Sequence, residues 1–172
     1  MELTVENCAA YLAARGEPRA DRLTIRELGG GVSNTVLLVE SPERRFVLKQ
    51  SLSRLRVKDE WLADRSRILR EMRSLQDAAR FFPAGAVPEV LWSDEENFLF
   101  AMSAAGPESW KQYLLAGRID PSLAATVGTL LGLWIRHSWG SPEFEARYGD
   151  QTAFDQLRID PYYRTVAQRR PE

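Results

Sequence analysis

The sequence predicts an α+β fold: a five-stranded antiparallel sheet with one long helix inserted after the third strand. Three observations predict it. One stretch with an apolar/polar period of two and four other short apolar runs crowd the first hundred or so residues, interrupted by a helical period. A small-residue linker, "SAAGPES" at 103–109, separates that part from a remainder that reads as helical. The composition, 44% hydrophobic and 27% charged, is that of a chain with a core, not of a disordered one.

The elements follow in order. Thr4 to Arg15 reads as a helix capped by Thr4, with Val5, Cys8, Ala9 and Leu12 as its apolar stripe and Gly16 at its end. "RLTIREL" (22–28) alternates and is a strand; "GGGVSN" (29–34) is a loop; "TVLLVE" (35–40) is a second strand. "SPER" (41–44) is a turn with Pro42 at its second position, which makes "RFVLKQ" (45–50) a third strand antiparallel to the second. A long helix is predicted from about Lys58 to Phe82, because Ile68, Met72, Leu75, Ala79 and Phe82 fall on one face; Pro83 and Gly85 stop it. "PEVLWS" (88–93) and "NFLFAM" (97–102) form a hairpin across Asp94-Glu95-Glu96. Trp110–Leu115 and Pro121–Trp139 are helices, followed by shorter helical pieces. The linker sets the expected division: a lobe over 1–102, and a helical part over 103–172.

Composition excludes several functions. A formal net charge of −1 provides no field for nucleic acid or acidic lipid. The arginines of the long helix (Arg65, Arg67, Arg70, Arg73, Arg80) alternate with Asp64, Glu71 and Asp77, so they read as a solvated face. One cysteine and one histidine cannot form a zinc site of the usual kind, and the lone Cys8 fits a reducing compartment. With no signal segment and no apolar run of membrane-spanning length, a soluble cytoplasmic protein without membrane partners is expected. A serine-hydrolase elbow fails too, since Gly31-Val32-Ser33-Asn34-Thr35 lacks its last glycine.

Three features point to chemistry. The glycine loop is followed by a β-branched strand, not a helix, and lacks the terminal Lys-Ser/Thr of a P-loop. A glycine turn between antiparallel strands fits the phosphate cover of kinases, whose backbone N–H groups approach phosphate without an intervening Cβ. Lysine is scarce: of 23 Lys+Arg, only Lys49, Lys58 and Lys111 are lysines, yet Lys49 ends the third strand. A kinase needs a cation there for the α- and β-phosphates and a carboxylate on the inserted helix to hold it. Glu71, on or beside the core-facing stripe, is the candidate carboxylate. Each feature has a plain structural account as well: a glycine turn needing positive φ, an edge-strand lysine that discourages aggregation, and a surface pair between Glu71 and Arg67. Their joint order on the right elements favours the phosphate site.

The stretches "ELGGGVSNTVLLVE", "FVLKQ", "RILREMRSLQ", "VPEVLWSDEENFLFAMSAAG" and "TLLGLWIRHSW" resemble the aminoglycoside phosphotransferase/choline kinase family, whose fold is protein-kinase-like. "RVKDEWLADRSRILREM" is similar to its methylthioribose kinase branch, and "LRIDPYYRTVAQRRPE" to a segment that bacterial members carry just before their catalytic loop. The resemblance implies that Gly29, Gly30, Gly31, Ser33 and Asn34 cover nucleotide phosphates. It implies that Lys49 and Glu71 form the phosphate-positioning pair, and that Phe100 to Ala104, around Met102, is the hinge that meets adenine. ATP and Mg2+ are the implied cofactors, and a hydroxyl on a small molecule the implied acceptor. His137 falls where the family often has a histidine and reads as structural.

The family's His-Gly-Asp loop with its following asparagine, and its later metal-binding aspartate, have no counterpart in these residues. Gly149-Asp150 lacks both neighbours, so no catalytic base or metal ligand is assigned to this chain. The helix at 121–139 carries apolar residues on more than one face, which suits burial on most sides. A missing lobe or a second copy is the expected cover, and the expected state of the chain is a fragment inactive by itself. The alternative is a truncated, catalytically inactive nucleotide-binding or protein-interaction module.

Overall fold

The computed structural model describes residues 1–29, 31–106 and 108–170. Five strands form one antiparallel sheet: β1 (Thr24–Glu27), β2 (Asn34–Glu40), β3 (Arg45–Ser51), β4 (Val90–Asp94) and β5 (Leu99–Ser103), in spatial order β1-β2-β3-β5-β4. The α+β reading and all five strands hold, with ends shifted by one or two residues. β3 is the central strand, because the helical insertion sends the chain to the far edge and the β4–β5 hairpin returns it beside β3.

Each face of the sheet has its own core. On one face, α1 (Val5–Ala14) packs Cys8 and Leu12, together with Leu3, on Leu37, Val39, Phe46, Leu48, Leu99 and Ala101. Thr4 and Asn7 exchange hydrogen bonds in a capping box at its start. At its end Gly16 takes φ 83°, and the Gly16 and Glu17 amides donate to Ala13 and Leu12 carbonyls. Val5 lies outside this core, on the exposed side of α1. On the other face, α2 (Arg67–Ala78) packs Ile68 and Met72 on Phe100, flanked by Leu69, Leu75, Val90, Phe98 and Met102. Each such side chain contributes roughly 1.5–3 kcal/mol of burial.

Helix α2 is shorter than expected. Residues before it fold as an irregular segment: Arg54 bridges Leu62, and the Leu55 amide donates to the Trp61 carbonyl at 2.8 Å. Asp64 then accepts from the Ser66 amide and hydroxyl at 2.9 and 2.7 Å, a local bond that holds the chain in a turn before the helix can start. Those bonds also keep the Asp64 carboxyl below its ordinary range. Ala79 and Phe82 lie beyond the helix end, and Ala79 is exposed.

After β5 come α3 (Trp110–Leu115), α4 (Pro121–Ser138) and α5 (Pro142–Tyr148). A terminal helical run follows over 152–169, whose middle, Asp155–Arg164, is wound in wide i→i+5 turns around Pro161. Trp134 of α4 meets Phe81 and Phe82 after α2, and Phe144 and Tyr148 of α5. The described chain leaves α4 largely uncovered, as its apolar residues on several faces and the short pieces after it lead one to expect: none of its residues is buried, and Val127, Leu131 and Ile135 are about half exposed, with Trp139 at 86% just past its end. The short elements that follow cover only its Trp134 side. No described helix is long and apolar enough to cross a membrane.

Candidate functional site

Lys49 lies on β3 directly opposite Val36 of β2 and Phe100 of β5. Residues opposite one another point to the same face, so Lys49 shares the α2 face with Phe100. A lysine in the middle of the sheet is no guard of an exposed edge. Its ammonium, on a side chain 20% exposed, donates to the Glu71 carboxylate of α2, which is 39% exposed. Strand pairing fixes one end of this contact and the packing of Ile68 and Met72 fixes the other.

Arg67, the rival partner for Glu71, is engaged elsewhere. Its guanidinium donates to four backbone carbonyls: Ser33 at 2.5 Å, Leu52 at 2.9 Å, Asp64 at 2.5 Å and Ala63 at 3.4 Å. Burial lowers its pKa, and the nearby Asp64 and Glu71 charges oppose that. The planar fork thus ties the start of α2 to the exit of the glycine turn.

Of the glycine turn, Gly29 and Gly31 are described; Gly30 lies outside the described residues. A Cβ at either described glycine would meet nothing within 4 Å, and neither has positive φ, so turn geometry does not call for glycine at these two positions. The Ser33 carbonyl also accepts from the Leu52 amide, and the Val32 carbonyl accepts from the Arg56 amide at 2.8 Å. Asn34 begins β2 opposite Ser51. Its Nδ2 donates to Ser33 Oγ at 3.2 Å, while its Oδ1 is buried without a partner among the described residues.

The hinge candidates separate. Phe100 is fully buried in the α2 core, with its backbone inside the ladder between β3 and β4. Met102 is partly buried opposite Val47 and Val90. The ladder ends at Ser103, so Ala104 is the first of the three with backbone clear of the sheet. Among the described residues, no group of three or more His, Cys, Asp or Glu could hold a metal ion. Lys49 is a cation braced by the Glu71 carboxylate, and a side chain at Gly29 or Gly31 would meet open space.

The sequence reading missed one cluster. Asp77, which its neighbours along the sequence assign to a solvated face, is 4% exposed. Arg147 of α5 grips both its oxygens at 2.7 and 2.5 Å, and the Tyr148 hydroxyl donates at 2.6 Å. Burial raises the Asp77 carboxyl, but hydrogen bonds from Tyr148 and Arg147 and the Arg147 charge outweigh it, leaving its pKa lowered. Burial and the bond to Asp77 push Tyr148 up to about 12. Nearby, Arg70 donates to the Asp150 carboxylate at 2.5 Å and to its carbonyl at 2.6 Å. Bonds from Thr152 and Arg70 hold the Asp150 carboxyl down to about 2. The partners are seventy and more residues apart, so no local pattern announces them. His137 stacks on Phe81 at 4.4 Å and contacts the Leu133 carbonyl through Nδ1, in keeping with a structural part.

Residues 24–170 match the model of the phosphotransferase enzyme family, APH. Methylthioribose kinase of Escherichia coli O45:K1 (strain S88 / ExPEC) is 30% identical over 137 residues, covering 75% of this chain and 33% of that protein. Methylthioribose kinases 2 and 1 of Oryza sativa subsp. japonica are 38% and 37% identical over 116 residues, each covering 66% of this chain and 27% of the relative. The chain therefore spans a third or less of the length of these relatives. With the family model matched over most of its length, the chain belongs to the aminoglycoside phosphotransferase-like family, near the methylthioribose kinase branch.

Proposed function

We propose that the chain is the nucleotide-binding part of an ATP-dependent small-molecule kinase with a protein-kinase-like fold. Residues 1–102 form its nucleotide lobe, and 103–172 form the hinge and the first helices of a helical lobe. The observation that carries this reading is the Lys49–Glu71 ion pair, made between the central strand and the inserted helix beside the glycine turn. Lys49 would hold the α- and β-phosphates as a compact point charge, with Glu71 keeping the ammonium aimed. Backbone N–H groups at Gly29, Gly30, Gly31, Ser33 and Asn34 would cover the phosphates. The backbone from Ser103 onward, at Ala104, would meet the base. When bound, ATP supplies the phosphoryl group. The Mg2+ ligands and the base that takes the acceptor's proton would come from sequence outside these 172 residues, so the chain alone binds but does not turn over.

The relatives named as methylthioribose kinases make a methylthioribose hydroxyl the acceptor to try first. A cytoplasmic site of action fits the single, buried Cys8. The test is titration with Mg·ATP of wild type and Lys49→Ala, followed by an ADP-release assay of the full-length protein with methylthioribose. Saturable binding weakened at least tenfold by Lys49→Ala, with turnover in the longer protein, is the expected result. Binding indifferent to Lys49 overturns the nucleotide site, and turnover by the 172 residues alone overturns the division of labour.

A further inference from the structure

Helix α2 is held on two sides. Ile68 and Met72 face the sheet. Arg70 and Asp77 lie seven residues, nearly two full turns, apart on the opposite side. Both are gripped by one segment: Arg70 by Asp150, and Asp77 by Arg147 and Tyr148. Arg80, just past the helix end, adds a longer contact to Asp77 at 3.4 Å and one to Glu143 at 3.6 Å. Glu71 sits on the flank between these two sides, pointing to Lys49.

Rotation of α2 about its axis is the motion to which Glu71 is most sensitive. A side-chain tip lies roughly 5–6 Å from a helix axis, so a turn of about 20° moves it by roughly 2 Å. That displacement breaks a hydrogen bond. The close-packed Ile68 and Met72 hold α2 on the sheet, and directional bonds on its other side add a second restraint on rotation. Arg147 reaches both Asp77 oxygens through one nitrogen, Nη1, and the Tyr148 hydroxyl approaches from a second direction, so the carboxylate is held by directional bonds from two groups, and the Arg70 pair anchors a second point two turns away. The three ionisable partners of Asp77 are Arg147, Tyr148 and Arg80, and the site is 4% exposed, so solvent does not substitute for them.

We propose that Asp77 is a positioning residue for the Lys49–Glu71 pair. Through it, the segment 141–150 sets the rotation of α2 and with it the nucleotide affinity. The inference rests on the nucleotide-binding reading above. It makes the hold of α5 on α2 a route by which changes in the helical part reach the phosphate site.

The experiment is a double-mutant cycle in the full-length protein, read as the dissociation constant for Mg·ATP. Asp77→Asn is expected to weaken binding about fivefold in the wild-type background and to have no effect in a Glu71→Gln background. Hydrogen exchange at the α2 amides around Glu71 is expected to rise in Asp77→Asn alone. Equal weakening in both backgrounds overturns the proposal, because Asp77 would then act on overall stability. So does unchanged affinity in Asp77→Asn when Lys49→Ala still weakens binding; that leaves the nucleotide site standing. Affinity indifferent to Lys49 removes the nucleotide reading, and the positioning proposal falls with it. If Asp77→Asn does not fold, Tyr148→Phe, which deletes one of the hydrogen bonds, decides by the same cycle with an expected change of about twofold.

Discussion

The guanidinium of Arg67 donates to the Ser33 carbonyl at 2.5 Å, joining the first turn of α2 to the exit of the glycine turn thirty-four residues earlier in the chain. The same group serves Leu52 and Asp64, so Arg67 is a backbone staple rather than a surface charge. Arg67→Ala removes part-buried bonds to Ser33 and Leu52 and an exposed one to Asp64; the Ser33 carbonyl keeps the Leu52 amide, so the cost falls mainly on Leu52, at about 1–3 kcal/mol for a carbonyl left unsatisfied. The predicted loss is about 1–3 kcal/mol of stability by urea unfolding. Arg67→Lys recovers only part of it, because an ammonium cannot span the fork. Unfolding midpoints for the three proteins check this; equal midpoints would mean that water replaces the staple.

The Lys49–Glu71 pair is predicted to matter for function and little for stability. Both side chains retain solvent, at 20% and 39% exposure, so the pair contributes about 0–1 kcal/mol to folding. Glu71→Gln should leave the thermal midpoint within a few degrees and weaken Mg·ATP binding. A large thermal loss with intact binding would reverse that assignment.

The sheet was legible because strands announce themselves within six or seven residues. The alternation of β1, the short apolar runs of β2 and β3 with the proline turn between them, and the acidic hairpin before β5 each mark a strand or its pairing locally. Lys49 and Glu71 were legible for the same reason, each being placed by the pattern of its own element. Asp77 was not. Its position on α2 gives a polar outer face, and polar outer faces are normally wet. Only the fold reveals that Arg147 and Tyr148 arrive there from seventy residues away. Helix α4 was legible too: its apolar residues fall on several faces, the pieces after it are short, and the described chain leaves those faces largely uncovered. The early start expected for α2 failed because side-chain bonds from Asp64 outcompete a helical turn, an effect that apolar periodicity does not register.

Acid stability is predicted to depend on Asp77. Its carboxyl is depressed in the folded state, as is that of Asp94, where burial pushes upward but bonds from Tyr11 and Asn97 prevail. Depressed folded values mean that the stabilisation is present above the unfolded value of about 3.9 and is lost as pH falls through the folded value. Asp150, held at about 2, titrates in the same direction but is exposed and screened. Unfolding free energy should therefore fall as pH drops below about 4. Asp77→Asn should flatten that slope while lowering stability at pH 7. An unchanged slope would mean that the Arg147–Tyr148 grip persists with a protonated Asp77.

Asn34 gives the sharpest separation between folding and binding. Its Oδ1 is buried at the mouth of the glycine turn with no hydrogen-bond partner among the described residues, while Nδ2 is spent on Ser33. An unsatisfied buried oxygen costs about 1–3 kcal/mol. A half-turn of the amide lets the oxygen accept from the Ser33 hydroxyl and puts the NH2 at the buried position, where it donates to a phosphate oxygen once the turn opens to admit one. Asn34→Ala deletes both the cost and the donor. The prediction is that Asn34→Ala folds as well as wild type or slightly better, and binds Mg·ATP several-fold more weakly, by about 1 kcal/mol for one lost hydrogen bond. Asn34→Asp should bind more weakly still, since a carboxylate meets phosphate with like charge. Paired thermal-melt and titration data on the three proteins test this. A destabilised Asn34→Ala with unchanged affinity would make Asn34 a fold residue and leave the phosphate cover to the glycine backbone.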